Sequence, residues 1–401
     1  MEEKKLNVKD LRPVIRKKQY DVIVAGGGIA GVAAAVSSAR SGASTLLIEK
    51  QINLGGLATT GLINWYEPLC DGRGVKMIGG IAEELIKLSI RYGFENLPLK
   101  WGGEGKNPSH YDRYATRFSP TVFSLALDDF VRDSGADIKF DALATFPIID
   151  ENVIKGIVCE TVDGKELYTA KCVVDATGDA SVCKRSGMPT ELGENWLVYV
   201  CHATDEKAVL KYNNTHDIAA LRSWLSCGGD RCGGGNIDGV PVQKMESSDS
   251  ENNFIIFGKK YLFEKYKNGD KNSKDILSLP DMPQYRKIRR IIGEYEFTGD
   301  EGMTFEDSIG CTGDFRYPDK RYQLPFRTLY NKEFPNLLAA GRIISASGDG
   351  WEITRVIPVC AMTGQAAGTA AAMIAHGKGG FDSIIEELQG RLANDGVIIG
   401  F

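Results

Sequence analysis

Histidine is scarce in this chain, with four in 401 residues, so acid–base chemistry has few imidazoles to draw on. The nine cysteines contain no C-x-x-C, which removes the usual dithiol redox motif and the common zinc spacings. An odd, unpatterned set of thiols suits a reducing compartment, and the opening MEEKKLNVKDLRPVIRKKQ has no apolar leader core. The expected location is cytoplasmic. Long membrane-spanning runs are also lacking. The best stretch, near 356–376, is rich in Ala and Gly and carries Pro358, Thr363 and Gln365. No excess of positive charge exists either: the net charge is −5, which argues against nucleic acid as a partner. Repeats are absent, and the only low-complexity patch is the Gly cluster at 228–235. What is present is a globular composition, 43% hydrophobic and 25% charged, long enough for two domains. Glycine is in excess, 46 residues against a usual share of ~7%.

The clearest register begins at Tyr20. YDVIVA reads as a buried strand, GGGIAG as a tight turn, VAAAVSSARSG as a helix and STLLIEK as the next strand. Further on, helices are expected near 80–92, 120–134, 252–268, 357–377 and 381–393. ALATFPIID, NVIKGIVCETV and KELYTAK predict three strands, with Asp163-Gly164 as a hairpin signal, and KCVVDATGD a further buried strand.

Gly26, Gly28 and Gly31 have the G-x-G-x-x-G spacing between a strand and a helix. The first permits the sharp turn, the second lets backbone approach a pyrophosphate, and the third lets helix and strand pack closely. Glu49 ends the next strand, where a carboxylate accepts ribose hydroxyls and disfavours a 2′-phosphate. Together these point to a dinucleotide. A Gly-rich structural turn is the alternative.

Two later segments choose between dinucleotides. Ala176-Thr177-Gly178-Asp179 ends a second buried strand, and Ala340-Gly341-Arg342 ends a third. With GG-x-AT at Gly55–Thr59 and R-V-x-P-x-C-x-x-x-GQAAGTAAA from Arg355 to Ala372, the chain resembles a family of FAD-dependent oxidoreductases. These share the flavin domain of succinate dehydrogenase and fumarate reductase; the match is to a bacterial subgroup and covers roughly 20–190 and 320–378. The resemblance implies an α/β fold: a glutathione-reductase-type Rossmann domain with a β-meander, plus an inserted α+β substrate domain. Its implied division is an arm at 1–18, an FAD-binding domain at 19–60, 116–189 and 331–401, and a cap at 61–115 and 190–330. It implies non-covalent FAD, since no His, Cys or Tyr occurs at 50–60. Gly26, Gly28, Ile29, Ala30 and Gly31 would hold the pyrophosphate, Glu49 the ribose, and the backbone of Ala144 the adenine. Lys50, Gly55, Gly56, Leu57, Ala58 and Thr59 would run beside the flavin, and Gly178 and Asp179 would close over the phosphates. Gly341, Arg342, Arg355 and Val356 would reach the flavin end. The substrate motifs of fumarate reductases are not matched, which argues against a dicarboxylate.

The helix at 357–377 would aim its N-terminus at the flavin, where charge develops on reduction. Gly364 and Gly368 inside it suggest close approach to the cofactor, or else close packing on the sheet. The catalytic candidates are His110 and Arg117, in the cationic, aromatic run NPSHYDRYATRF, and His202 in LVYVCHAT, which also reads as a core histidine. Trp65, Tyr66, Arg73, Arg327, Trp351 and Glu352 are expected nearby. Cys227 and Cys232 alone do not define a metal site, so none is expected. The reading is hydride transfer between a small organic substrate and flavin N5, with an unknown electron acceptor. Alternatives are an NAD-dependent dehydrogenase, a tRNA-modifying type of flavoprotein, or a non-catalytic FAD-binding protein. Homo-oligomerisation stays open.

Overall fold

The computed structural model describes residues 14–104, 113–229, 237–240 and 242–401. The first half folds in chain order as β1 (Ile15–Ala25), α1 (Ile29–Arg40), β2 (Thr45–Ile48), β3 (Trp65–Tyr66), α2 (Ile81–Arg91) and β4 (Thr116–Arg117). It continues with α3 (Pro120–Asp133), β5 (Asp137–Lys139), β6 (Leu143–Asp150), β7 (Val153–Thr161) and β8 (Gly164–Asp175). This is an α/β protein built on a mixed, Rossmann-like sheet of order β5-β2-β1-β8-β7-β6, with the strand Leu337–Ala339 also paired to β8. Val22, Ile23 and Val24 are wholly buried, as expected of a parallel strand covered on both faces.

β8 changes neighbours along its length. Its first half pairs antiparallel with β7, and Val173–Asp175 pair parallel with Leu337–Ala339. The sequence suggested two strands here, KELYTAK and KCVVD; they are one of twelve residues, because nothing between Lys165 and Asp175 can turn the chain. The β6–β7 hairpin turns on Glu151 and Asn152, both left-handed with φ of 46° and 64°, the geometry of a type I′ turn. The first strand also begins earlier than the Tyr20 expected from sequence. β1 starts at Ile15, and its charged residues find partners across the sheet: Lys17 bonds Glu166 at 3.0 Å and Lys18 bonds Asp137 at 2.9 Å.

α1 and the long helix Ile357–Ala375 pack side by side on the sheet. Only small side chains fit that interface. A Cβ on Gly364 would stand 2.1 Å from the Ala30 carbonyl oxygen, and one on Gly368 2.1 Å from that of Ala34. These two glycines therefore serve the packing of one helix on another, neither cofactor approach nor packing on the sheet. The helix is long and apolar enough to cross a bilayer, but it is a buried core element here.

A second region carries the antiparallel sheet of Ser223–Gly228, Val198–Asp205 and Lys274–Ser278, covered by the helix Ser248–Tyr266. Its own small core includes Phe254, Met245 and Tyr285. α2, assigned from sequence to this region, instead lends Ile81, Leu85 and Ile86 to the core shared by α1 and Ile357–Ala375. Those positions form one helical stripe, and the stripe faces that core. Gln284 joins the two regions: its side chain donates to Gly61 O and Val200 O and accepts from Val200 N–H, all within 2.9 Å.

Candidate functional site

A cleft, about 1000 Å³ with its mouth, opens where β1, β2, β8 and the strand Leu337–Ala339 end, at the N-terminus of α1. This is the edge at which parallel α/β sheets bind ligands. Gly26 takes φ +100°, and a Cβ there would lie 2.5 Å from Ala176 O. A Cβ on Gly31 would lie 1.7 Å from Gly26 O, so this glycine serves strand–helix packing beneath the cleft. Gly28 faces open space, so ligand can approach its backbone directly. The first turn of α1 holds no acidic side chain, leaving its free N–H groups and positive dipole end for an anion.

Glu49 sits on one wall. Its carboxylate accepts from Gly27 N–H at 2.5 Å and Gln51 N–H at 2.8 Å, and it is only 8% exposed. Two backbone donors fix its position, and the remaining lone pairs stay available to hydroxyls. On the opposite wall Arg342 donates to Gly178 O and Tyr285 O, which joins the β8 turn to the second region. Burial lowers the Arg342 pKa. Arg355, just before the helix Ile357–Ala375, bonds Glu352, whose other oxygen holds Lys287 at 2.9 Å. Cys360 lines the same end; burial pushes its thiol up to about 12, against the pull of Arg342 and Arg355.

A second cavity, about 1650 Å³ with its mouth, adjoins the first. Leu57, Arg355 and Ile357 line both. Its walls come from the chain after Leu57, from β4, from the strands Val198–Asp205 and Ser223–Gly228, and from Arg286 and Phe315. Most of the lining is apolar, including Ile63, Trp65, Val198, Val200 and Trp224. Glu67 is taken up by Arg113 and the Trp65 indole N–H.

The FAD dependent oxidoreductase family profile matches residues 21–227 and 228–392. The chain belongs to that family. It is 27% identical over 185 residues to digeranylgeranylglycerophospholipid reductase 2 of Methanothermobacter thermautotrophicus, covering 43% of this chain and 43% of that protein. With reductase 1 of Methanococcoides burtonii it shares 25% over 193 residues, 44% of this chain and 42% of the relative. The chain thus spans less than half the length of the curated relatives it matches. The p-nitrophenol 4-monooxygenase PnpA of Pseudomonas putida is similar in fold, with a TM-score of 0.53 at 11% identity over 94% of this chain and 86% of that one. Membership of that family argues against the NAD-dependent alternative.

The cleft fits FAD on its own geometry: a bare glycine at position 28, free N–H groups above it, and a fixed carboxylate at the end of β2. Of the residues expected to hold FAD, most line this cleft: Gly26, Gly28, Ile29, Ala30, Glu49, Lys50, Gly55 to Ala58, Gly178, Asp179, Gly341, Arg342 and Arg355. Four others sit elsewhere. Gly31 lies beneath it, and Thr59 turns its hydroxyl inward to Leu54 O. Ala144 gives its carbonyl to Arg185, and Val356 lines the second cavity. The pattern missed Glu251, Met282 and Tyr285, which the second region contributes to the cleft. Burial, then Asp179, raises the Glu251 pKa.

Among the catalytic candidates, Arg117 lines the second cavity, while His110 lies outside the described residues. His202 is fully buried and lines neither cavity. Its Nε2–H donates to Leu62 O at 3.2 Å, and Leu62 itself is left-handed at φ 59°. The imidazole thus holds a strained turn beside Ile63, at a position costing on the order of 1–2 kcal/mol. Burial, aided by Arg222 and Arg117, pushes its pKa down to about 4, so it stays neutral. Trp65 reaches the cavity. Tyr66 bonds Ala82 O in the core, while Arg73 pairs with Asp319 and Arg327 with Asp307, away from both cavities. Trp351 donates to Arg342 O and Glu352 holds Arg355, so these two support the site from behind. Arg286 was not singled out from the sequence. Its only signal is the basic run RKIRR in an otherwise acidic chain.

Proposed function

We propose that this protein holds FAD non-covalently in the first cleft and exchanges hydride between flavin N5 and a small organic substrate seated in the second cavity. The observation that carries this reading is the shared wall: Leu57, Arg355 and Ile357 face both spaces, so a substrate in one abuts a cofactor in the other. FAD, when bound, supplies the two-electron acceptor or donor. The chain supplies orientation and electrostatics. The backbone around Gly28 and the first turn of α1 hold the pyrophosphate, and Glu49 holds the ribose. Arg342, Arg355 and the start of the helix Ile357–Ala375 place positive potential at the far end of the cleft. The apolar walls of the second cavity exclude water from the reacting carbon.

Non-covalent attachment is supported by the lining. Residues 50–60 offer no His, Cys or Tyr, and a Cys360 thiol raised to about 12 is protonated at neutral pH. We assign the nucleotide domain to the glutathione-reductase type and to the succinate dehydrogenase-like subgroup, on the β6–β8 meander and the Gly55–Thr59 and Arg355–Ala372 motifs. A cytoplasmic location and a small-molecule partner, with neither membrane nor nucleic acid, complete the proposal.

The test is anaerobic: oxidised protein is mixed with metabolites in turn, and loss of the flavin's visible absorbance is followed. A compound that bleaches wild type should do so far more slowly in Leu57→Trp, which fills the shared wall. An unchanged rate at unchanged flavin content would place the substrate elsewhere.

A further inference from the structure

The second cavity contains two arginines, Arg117 and Arg286, with no carboxylate in direct contact among the described residues. Arg117 donates to Arg222 O at 3.1 Å and lies over the Trp224 ring, 5.9 Å from its centroid. Arg286 donates to Gln284 O at 2.9 Å, and its backbone is pinned by Asn195. Neither guanidinium contacts a carboxylate among the described residues; the nearby acid, Glu67, is already taken by Arg113. Burial lowers the pKa of both, against the pull of Asp217 on Arg117 and of Glu352 on Arg286; that of Arg286 falls to about 9, with Arg355 and Arg342 adding to the effect. Desolvating a charge is costly unless it is paired, and a planar guanidinium is best satisfied by a two-oxygen anion. Most of the remaining lining is aromatic and aliphatic, with Glu67, Ser223, Ser226 and Arg355 the polar exceptions.

Resting on the hydride-transfer reading above, we infer that the substrate is a carboxylic acid with an apolar body. Arg117 and Arg286 bind the carboxylate, while Trp65, Trp224, Val198 and Val200 enclose the body. Fixing the acid group at one end positions a carbon of the body toward the wall shared with the flavin cleft. Both arginines are binding residues in this account and need not move a proton.

The test uses flavin-bearing protein and calorimetry, with two acids, cinnamate and octanoate, and two matched neutral compounds, cinnamamide and octanamide. A phosphate monoester, phenyl phosphate, is the third arm. At least one acid should bind, its amide at least about tenfold more weakly. Arg286→Gln and Arg117→Gln should each weaken the acid by about tenfold or more and leave the amide within about twofold; Arg286→Lys should recover part of the loss. Amides binding as well as acids, variants weakening both alike, or binding of phenyl phosphate alone would overturn the inference. So would failure of both acids to bind at millimolar concentration. Acid binding without any flavin on the protein would break the cofactor reading and leave the acid site standing.

Discussion

The two adjoining cavities are built in opposite ways. The cofactor cleft is made mainly of backbone: glycines, helix-start N–H groups and strand ends, supplied by short continuous motifs. The second cavity is made of side chains collected from seven separated parts of the chain, several lying on strands of two to eight residues. Backbone sites tolerate little change and leave compact sequence signatures. Side-chain cavities tolerate substitution and leave almost none. One half of the site therefore reports the cofactor, and the other, which would report the substrate, is visible only after folding.

The largest expected effect tests the rigidity of the backbone half. Gly31→Val would force side-chain atoms onto Gly26 O, and Gly364→Ala would push a Cβ into Ala30 O. Backbone cannot yield as a side chain can, so each should cost about 3 kcal/mol or more. Thermal unfolding and flavin content should fall together. A variant of either kind with normal flavin and melting temperature would mean that the packing is looser than the structure shows.

His202 sharpens the other half. Its pKa in the folded protein, about 4, lies below the ordinary 6.5. On acidification the unfolded chain takes up a proton before the folded one does. The stabilising contribution is complete above pH ~6.5, declines below that, and is exhausted near pH 4. The difference amounts to roughly 3 kcal/mol. His202→Gln, which keeps a donor for Leu62 O but cannot titrate, should lose less stability over that window in denaturant titrations. Parallel pH curves for both proteins would contradict the buried neutral imidazole.

Glu49→Ala should weaken FAD binding by at least about tenfold, since hydrogen bonds to a charged acceptor are worth roughly 1.5–3 kcal/mol each. A carboxylate at a strand end is ordinarily exposed and contributes little to folding. The structure buries it under two backbone donors, so a measurable drop in melting temperature should accompany the loss. Unchanged affinity by flavin fluorescence would move the ribose elsewhere. Smaller still is the effect of Arg355→Ala on sulfite addition to the oxidised flavin. Because Glu352 already offsets this charge, about a tenfold loss in sulfite affinity is expected. No change would mean that Arg355 and the start of the helix Ile357–Ala375 do not face the flavin.

How much of this was legible follows the same division. The β1–α1–β2 unit, the Asp175–Asp179 turn and the helix from Ile357 could be read because each is set by a few adjacent residues. β8 was split in two because strand pattern alone cannot show that its neighbours change halfway along. Gly364 and Gly368 were visible but ambiguous: a glycine marks a close approach without naming what approaches. Arg286 was missed altogether, since its importance lies in having no carboxylate in contact among the described residues, which no linear pattern records. His202 was seen as a core histidine or a base, and only the Leu62 carbonyl shows what its ring holds.

The central claim is that the glycine-lined cleft holds a complete, freely dissociable FAD. The direct measurement is to purify the protein, record its visible spectrum, denature it with heat, and identify the released nucleotide chromatographically. The account predicts a yellow protein that releases intact FAD in near-stoichiometric amount, leaving a colourless pellet. A colourless protein that takes up only NAD, release of FMN, or flavin that stays with the denatured chain would contradict it.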